Sequence, residues 1–122
     1  MLPGIKVLIV EDEPELAKCL AAYLRRGEAQ VKAVHSGEAA VAVAREFLPD
    51  VLILDYRLPG INGLETFAKL RDLPIRHGCI MITGDSSEDI PRAARAAGIR
   101  RVLKKPFLFS ELEGTFITPR TR

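Results

Sequence analysis

The chain has 122 residues, 48% of them hydrophobic and 28% charged, with a formal net charge of +2. That length suits one domain, residues 1–122 with a core over about 5–117, which buries roughly two thirds of its unfolded surface and leaves no room for a second domain. The mild charge gives no sign of a nucleic-acid or membrane partner, and no apolar run reaches about eighteen residues, so a soluble cytoplasmic domain is expected.

Ile5 to Val10, IKVLIV, has the continuous apolar character of an interior parallel strand and stops at Glu11-Asp12-Glu13. Pro14 suits the first turn of a helix whose Leu16, Leu20, Tyr23 and Leu24 share a face, with Gly27 as its cap. Gln30 to His35 alternates as a strand, leaving His35 as a strand-end surface residue. Ser36 caps a helix over Gly37 to Phe47, which Pro49 stops.

Val51 to Leu54 is a third apolar strand, and Asp55 stands where it runs out. A carboxylate there is not needed for packing. Pro59-Gly60 then marks a turn, and Asn62 with Glu65 has the layout of a capping box opening a helix over Gly63 to Arg71. Leu73 to Gly78 is a loop, and its His77 has no partner at motif spacing. Cys79 to Thr83 is a fourth strand, followed by the turn Gly84-Asp85-Ser86-Ser87.

Asp89 to Ala97 is Ala-rich and helical, with Pro91 forced close to its start and Gly98 at its end. Arg101 to Lys104 is a short fifth strand before Lys105-Pro106-Phe107. A last helix, about Leu108 to Ile117, is disfavoured by Gly114, Thr115 and Ile117 and ended by Pro119. Cys19 and Cys79 have neither CxxC nor zinc spacing and sit in apolar patterns, which predicts two reduced, buried thiols. The late arginines, Arg92, Arg95, Arg100, Arg101, Arg120 and Arg122, are read as solvated surface.

Strict alternation of strand and helix implies a doubly wound α/β fold with a parallel sheet, right-handed crossovers and helices on both faces. Every strand then ends on one edge, which brings together Glu11, Asp12, Asp55, Thr83 and either Lys104 or Lys105. Clustered carboxylates repel unless a cation joins them, and an all-oxygen set suits Mg²⁺ better than zinc or iron. Phosphoryl transfer to Asp55 is the chemistry that fits, because it is catalysed by positioning and charge neutralisation.

Val10 to Glu13 (VEDE), Leu54 to Glu65 (LDYRLPGINGLE), Met81 to Gly84 (MITG) and Lys105 to Phe107 (KPF) resemble, in this order, the receiver domain of two-component response regulators. The resemblance implies a flavodoxin-like five-stranded sheet of order 2-1-3-4-5. It makes Asp55 the acceptor of a phosphoryl group from a phosphohistidine on a sensor histidine kinase or histidine phosphotransfer protein. Asp12, Asp55 and the backbone carbonyl of Arg57 would hold Mg²⁺, with Glu11 assisting. Lys105 would pair with the phosphate, leaving Lys104 on the surface. Thr83 would be the switch hydroxyl, drawing the loop from Gly84 with it, and the Lys105-Pro106 bond is expected to be cis.

Receivers commonly carry Tyr or Phe three residues before that lysine, and Val102 stands there. A valine cannot swing a ring, so the usual Thr-aromatic relay loses its moving part while the phosphorylation chemistry is untouched. Arg57 and Asp85, two residues past Asp55 and Thr83, are expected to flank the route of attacking water and tune phosphoryl lifetime. A Mg²⁺-dependent phosphohydrolase of the haloacid dehalogenase type is a rival, but it wants a second acid where Arg57 stands. A receiver-like module working without phosphorylation is another, against which the full set of acids, Thr and Lys argues.

Overall fold

Strand and helix alternate from Lys6 onwards in the structure, a computed structural model that describes residues 3–112. The elements are β1 (Lys6–Val10), α1 (Pro14–Arg26), β2 (Gln30–Val34), α2 (Gly37–Phe47), β3 (Val51–Asp55), α3 (Gly63–Lys69), β4 (Gly78–Thr83), α4 (Asp89–Ala97) and β5 (Arg101–Lys104). All pairings are parallel and the sheet order is β2-β1-β3-β4-β5, the expected flavodoxin-like arrangement. Among the described residues no helix is long and apolar enough to cross a membrane.

Alternation along the interior strands supplies both cores. Val7, Ile9, Val51, Ile53, Ile80 and Ile82 face Leu20, Ala21 and Leu24 of α1, together with Leu112. Leu8, Val10, Leu52, Leu54 and Met81 face Ala40 and Ala44 of α2, Leu70 after α3, and Ile90 and Ala94 of α4. Side chains of this size contribute about 1.5–3 kcal/mol each when fully buried. An interior strand is therefore apolar along its middle, and β3 is buried at every residue, Asp55 at its end included.

Local signals act where the sequence puts them. Ser36 Oγ accepts the Ala39 N–H at the start of α2, and Asn62 and Glu65 exchange both hydrogen bonds of a capping box at the start of α3. Pro91 lies in the first turn of α4, where its missing N–H leaves no gap, and Gly98 closes that helix in the left-handed region at φ 103°. The Lys105-Pro106 bond is cis.

Several expectations need correction. Cys19 is exposed, because α1 buries the stripe Ala17, Leu20, Ala21 and Leu24 and turns position 19 outward. Cys79 is buried as expected, and burial pushes its thiol pKa up, which makes it unreactive. Gly27 caps α1 as expected, its N–H donating to Leu24 O at 3.0 Å, although the left-handed residue is the following Glu28 at φ 77°. Helix α3 stops at Lys69 instead of Arg71, since the Leu70 N–H turns to Phe67 O at 3.0 Å and tightens the last turn. β2 ends at Val34, one residue before His35, and β4 begins at Gly78. Of the last helix, residues 113–117 lie outside the described residues; a helical turn begins at Ser110, and Leu108 stands before it, 70% exposed.

Candidate functional site

β1 and β3 are in register from Val7↔Val51 to Val10↔Leu54, so Glu11 and Asp55 fall one rung further, at the carboxyl edge. Each continues an inward row, Val7-Ile9-Glu11 and Val51-Ile53-Asp55. Both are buried, at 2% and 4% exposure, and Asp12 beside them is exposed. One carboxylate oxygen from each of Glu11, Asp12 and Asp55 lies within 4.8 Å of the others.

Lys105 arrives from the other side of the sheet. Its backbone N–H donates to Thr83 O at 2.8 Å, which carries the β4–β5 pairing one step past Thr83↔Lys104. Lys104 is exposed and Lys105 turns inward, as the resemblance implies. The Lys105 ammonium lies 3.1 Å from Asp55 Oδ2, 3.3 Å from Glu11 Oε1 and 3.0 Å from Glu13 Oε1. Burial alone would lower its pKa; hydrogen bonds to Glu13 and Asp55, with the charges of Asp55 and Glu11, outweigh that and hold it above the usual lysine value.

Glu11 is the strained member of the set. Its carboxyl pKa is pushed up to about 7, first by burial; the Glu13 N–H opposes this, Asp55 adds to it and the Lys105 charge reduces it. Glu11 Oε2 accepts the Glu13 N–H at 3.1 Å. Glu11 Oε1 is buried without a hydrogen bond, since Lys105 approaches it as an ion pair outside hydrogen-bonding geometry. A buried acceptor with no donor, inside a cluster of oxygen ligands, fits a hard divalent cation such as Mg²⁺.

Thr83 is 2% exposed and starts a chain of contacts leading away from the acids. Its Oγ1 accepts the Asp85 N–H at 3.0 Å, Asp85 Oδ1 accepts the Ser87 N–H at 2.8 Å, and Ser87 Oγ accepts the Asp89 N–H at 3.1 Å, at the first residue of α4. Arg57 donates its backbone N–H to Asp55 Oδ1 at 3.3 Å and its Nη2 to Asp85 Oδ2 at 3.0 Å. Gly84 is exposed, and a Cβ there would meet only Lys105 Cδ, at 3.9 Å, so the mouth of the site is open at that point. Val102 is half-buried and packs into the core on the α2, α3 and α4 face.

The sequence reading overlooked Glu13 as a partner of Lys105. The acidic run from Glu11 was its only signal, and spacing does not say which carboxylate reaches the amine. His35 is exposed, and because a carbonyl can only accept, its Nδ1–H donates to Glu11 O at 2.9 Å. His77 is buried, its backbone N–H donating to Asp50 O at 2.8 Å, at the opposite edge of the sheet from the acids.

A parallel sheet of order 2-1-3-4-5 with acids, a threonine and a lysine gathered at its carboxyl edge is the architecture of a receiver domain. Residues 7–116 match the model of the response regulator receiver domain, and the chain belongs to that family. Among curated relatives it is 39% identical over 103 residues to the transcriptional regulatory protein FixJ of Rhizobium meliloti, covering 83% of this chain and 50% of that one. It is 37% identical over 114 residues to the phosphate regulon transcriptional regulatory protein PhoB of the same organism, covering 92% and 49%. The chain thus spans about half the length of these relatives. Among solved structures, it is similar to the receiver domain of a sensor histidine kinase from Pseudomonas aeruginosa PAO1, at 29% identity and a TM-score of 0.81 over 93% of this chain and 94% of the other. That structure holds a magnesium ion in its active-site cleft.

Proposed function

We propose that residues 1–122 form a single receiver domain in which Asp55 accepts a phosphoryl group from a phosphohistidine, on a sensor histidine kinase or a histidine phosphotransfer protein. The observation that carries this reading is the Lys105 ammonium, 3.1 Å from Asp55 Oδ2 inside an all-oxygen acid cluster. In the transfer the donor's N–P bond breaks with its electron pair returning to the imidazole, and a bond forms between phosphorus and an Asp55 carboxylate oxygen. Lys105 faces the charge carried by the transferring group. Glu11, Asp12, Asp55 and the Arg57 carbonyl are the proposed ligands of Mg²⁺, which when bound neutralises charge on the phosphoryl oxygens. The chain promotes only its own phosphorylation and dephosphorylation.

Signalling follows from added charge. About two negative charges arrive at Asp55, and the buried Thr83 hydroxyl, at the end of the neighbouring strand, is a neutral donor able to turn toward them. Turning toward the phosphoryl group withdraws Thr83 Oγ1 from the Asp85 N–H, which disturbs the chain of contacts through Ser87 to Asp89 and resets α4 for a partner. Val102 offers no ring to this movement, so the loop itself carries it.

Incubation with Mg²⁺ and acetyl phosphate, followed by intact mass, is expected to add one phosphoryl group in the wild type and none in Asp55→Asn. Equal labelling of both proteins removes the reading. Steady turnover of a phosphatase substrate with Asp55 as nucleophile would instead favour a phosphohydrolase.

A further inference from the structure

Lys105 holds three carboxylates at once, and one of them has no part in the site proposed above. Glu13 makes the shortest of the three contacts, 3.0 Å against 3.1 Å for Asp55 and 3.3 Å for Glu11. It occupies the N-cap position of α1, yet its side chain makes no capping hydrogen bond. The carboxylate that would ordinarily serve the helix is turned to the lysine. Its backbone is fixed there by the N–H donated to Glu11 Oε2 at 3.1 Å and by Pro14 at the next position.

We infer that Glu13 is a positioning residue that tethers the Lys105 ammonium from the solvent side and competes with an incoming phosphoryl group for its N–H donors. The inference rests on the phosphoacceptor reading of Asp55. An ammonium has three N–H donors, and in the resting protein they are taken up by Glu13 Oε1 at 3.0 Å, Asp55 Oδ2 at 3.1 Å and Glu11 Oε2 at 3.4 Å. A phosphoryl group on Asp55 replaces one carboxylate oxygen with three more strongly charged acceptor oxygens, which draw on more than one of these donors, so a resting contact is given up. The side chains of Glu11 and Asp55 are 2% and 5% exposed, whereas that of Glu13 is 62% exposed. Water replaces the lysine readily at Glu13 and poorly at the other two, so Glu13 is the contact that yields. Until it yields, it occupies a donor and places negative charge beside the arriving anion. Both effects oppose phosphoryl binding.

Glu13→Gln removes the charge at constant size, and Glu13→Ala removes the contact as well. With Mg²⁺ present and beryllofluoride as the probe, both variants are expected to bind about two- to five-fold more tightly than wild type, the factor an exposed ion pair carries. Acetyl phosphate, whose P–O bond breaks with the electron pair leaving on acetate as the Asp55–phosphorus bond forms, is expected to label both variants faster by the same factor. In ligand-free protein the NMR signal of the Lys105 ammonium is expected to shift in both, a readout that a change in fold stability does not move. Unchanged or weaker beryllofluoride affinity in both variants, or an unmoved ammonium signal, overturns the tether. A wild-type chain whose Asp55 does not respond to beryllofluoride at all overturns the phosphoacceptor reading, and the tether with it.

Discussion

Arg57 Nη2 stands 3.0 Å from Asp85 Oδ2, an ion pair that ties the loop following β3 to the loop following β4. Each residue is also bound to the side chain two places before it, Arg57 N–H to Asp55 Oδ1 and Asp85 N–H to Thr83 Oγ1. The pair therefore bridges the Asp55 carboxylate and the Thr83 hydroxyl. Its side chains are 74% and 25% exposed, so its worth to folding is below about 1 kcal/mol. Breaking it with Arg57→Ala or Asp85→Asn is expected to open the path of water and quicken loss of the phosphoryl group by roughly three- to ten-fold, a barrier change of about 0.7–1.4 kcal/mol. Decay of labelled protein after removal of the donor measures this, and unchanged decay in both variants rejects it.

The Glu11 carboxyl sets a pH dependence in metal-free protein. Its pKa is raised from 4.5 to about 7, so between those values the folded chain keeps a proton that the unfolded chain has lost. The stabilisation is full below the lower value and is lost as pH rises through the upper one, by at most about 3 kcal/mol. Glu11→Gln has no such proton to lose. Denaturant unfolding at about pH 5 and about pH 8 is expected to show wild type losing stability relative to Glu11→Gln at the higher pH. Mg²⁺ at the proposed site would displace the same proton, so Mg²⁺ affinity is expected to rise about tenfold from about pH 6 to about pH 8 in wild type, and to lose that rise in Glu11→Gln.

How much of this was legible beforehand follows from which interactions are local. The capping box of Asn62 and Glu65, the Ser36 cap and the stop at Gly98 are decided within a few residues, and each stands where the sequence marks it. Asp55 was legible because an acid at the end of a strand buried along its whole length has no packing role. Parallel pairing alone brought the ends of β1, β3, β4 and β5 to one edge, and the resemblance to receivers chose Lys105 over Lys104. The contacts of Glu13 and Arg57 were not legible, since they depend on how long side chains from separate loops reach across the edge, a matter of rotamers and not of spacing. Cys19 was misplaced for a related reason. An apolar neighbourhood does not say which side of a helix a residue faces when the stripe of Ala17, Leu20, Ala21 and Leu24 passes beside it.

Close packing at Gly63 places a steric constraint directly against the backbone of Asp55. A Cβ there would lie 2.5 Å from the backbone oxygen of Asp55 and 2.9 Å from Tyr56 Cα, both main-chain atoms that cannot swing aside. The Gly63 N–H also donates to Tyr56 O at 2.8 Å, so the start of α3 is clamped to the end of β3. Gly63→Ala is expected to cost about 1–3 kcal/mol of stability and to weaken Mg²⁺ binding by shifting the carboxylate. Thermal unfolding and Mg²⁺ titration measure the two effects, and an unperturbed variant would show that the contact relaxes freely.

On the proposed reading, substitution of Thr83 separates the chemistry at Asp55 from its readout at α4. Thr83→Ala removes the acceptor of the Asp85 N–H and is expected to cost about 0.5–1.5 kcal/mol of stability. Asp55, Lys105 and the acid cluster are untouched, so acetyl phosphate is still expected to label the variant. The amide shifts that phosphorylation produces in wild type over Asp85, Ser87 and Asp89 are expected to collapse, because the hydroxyl that moves them is gone. Thr83→Ser keeps the hydroxyl and is expected to restore them. Wild-type shifts in the phosphorylated alanine variant would mean that α4 is reset by another route, through the Arg57 to Asp85 ion pair or through Lys105 itself.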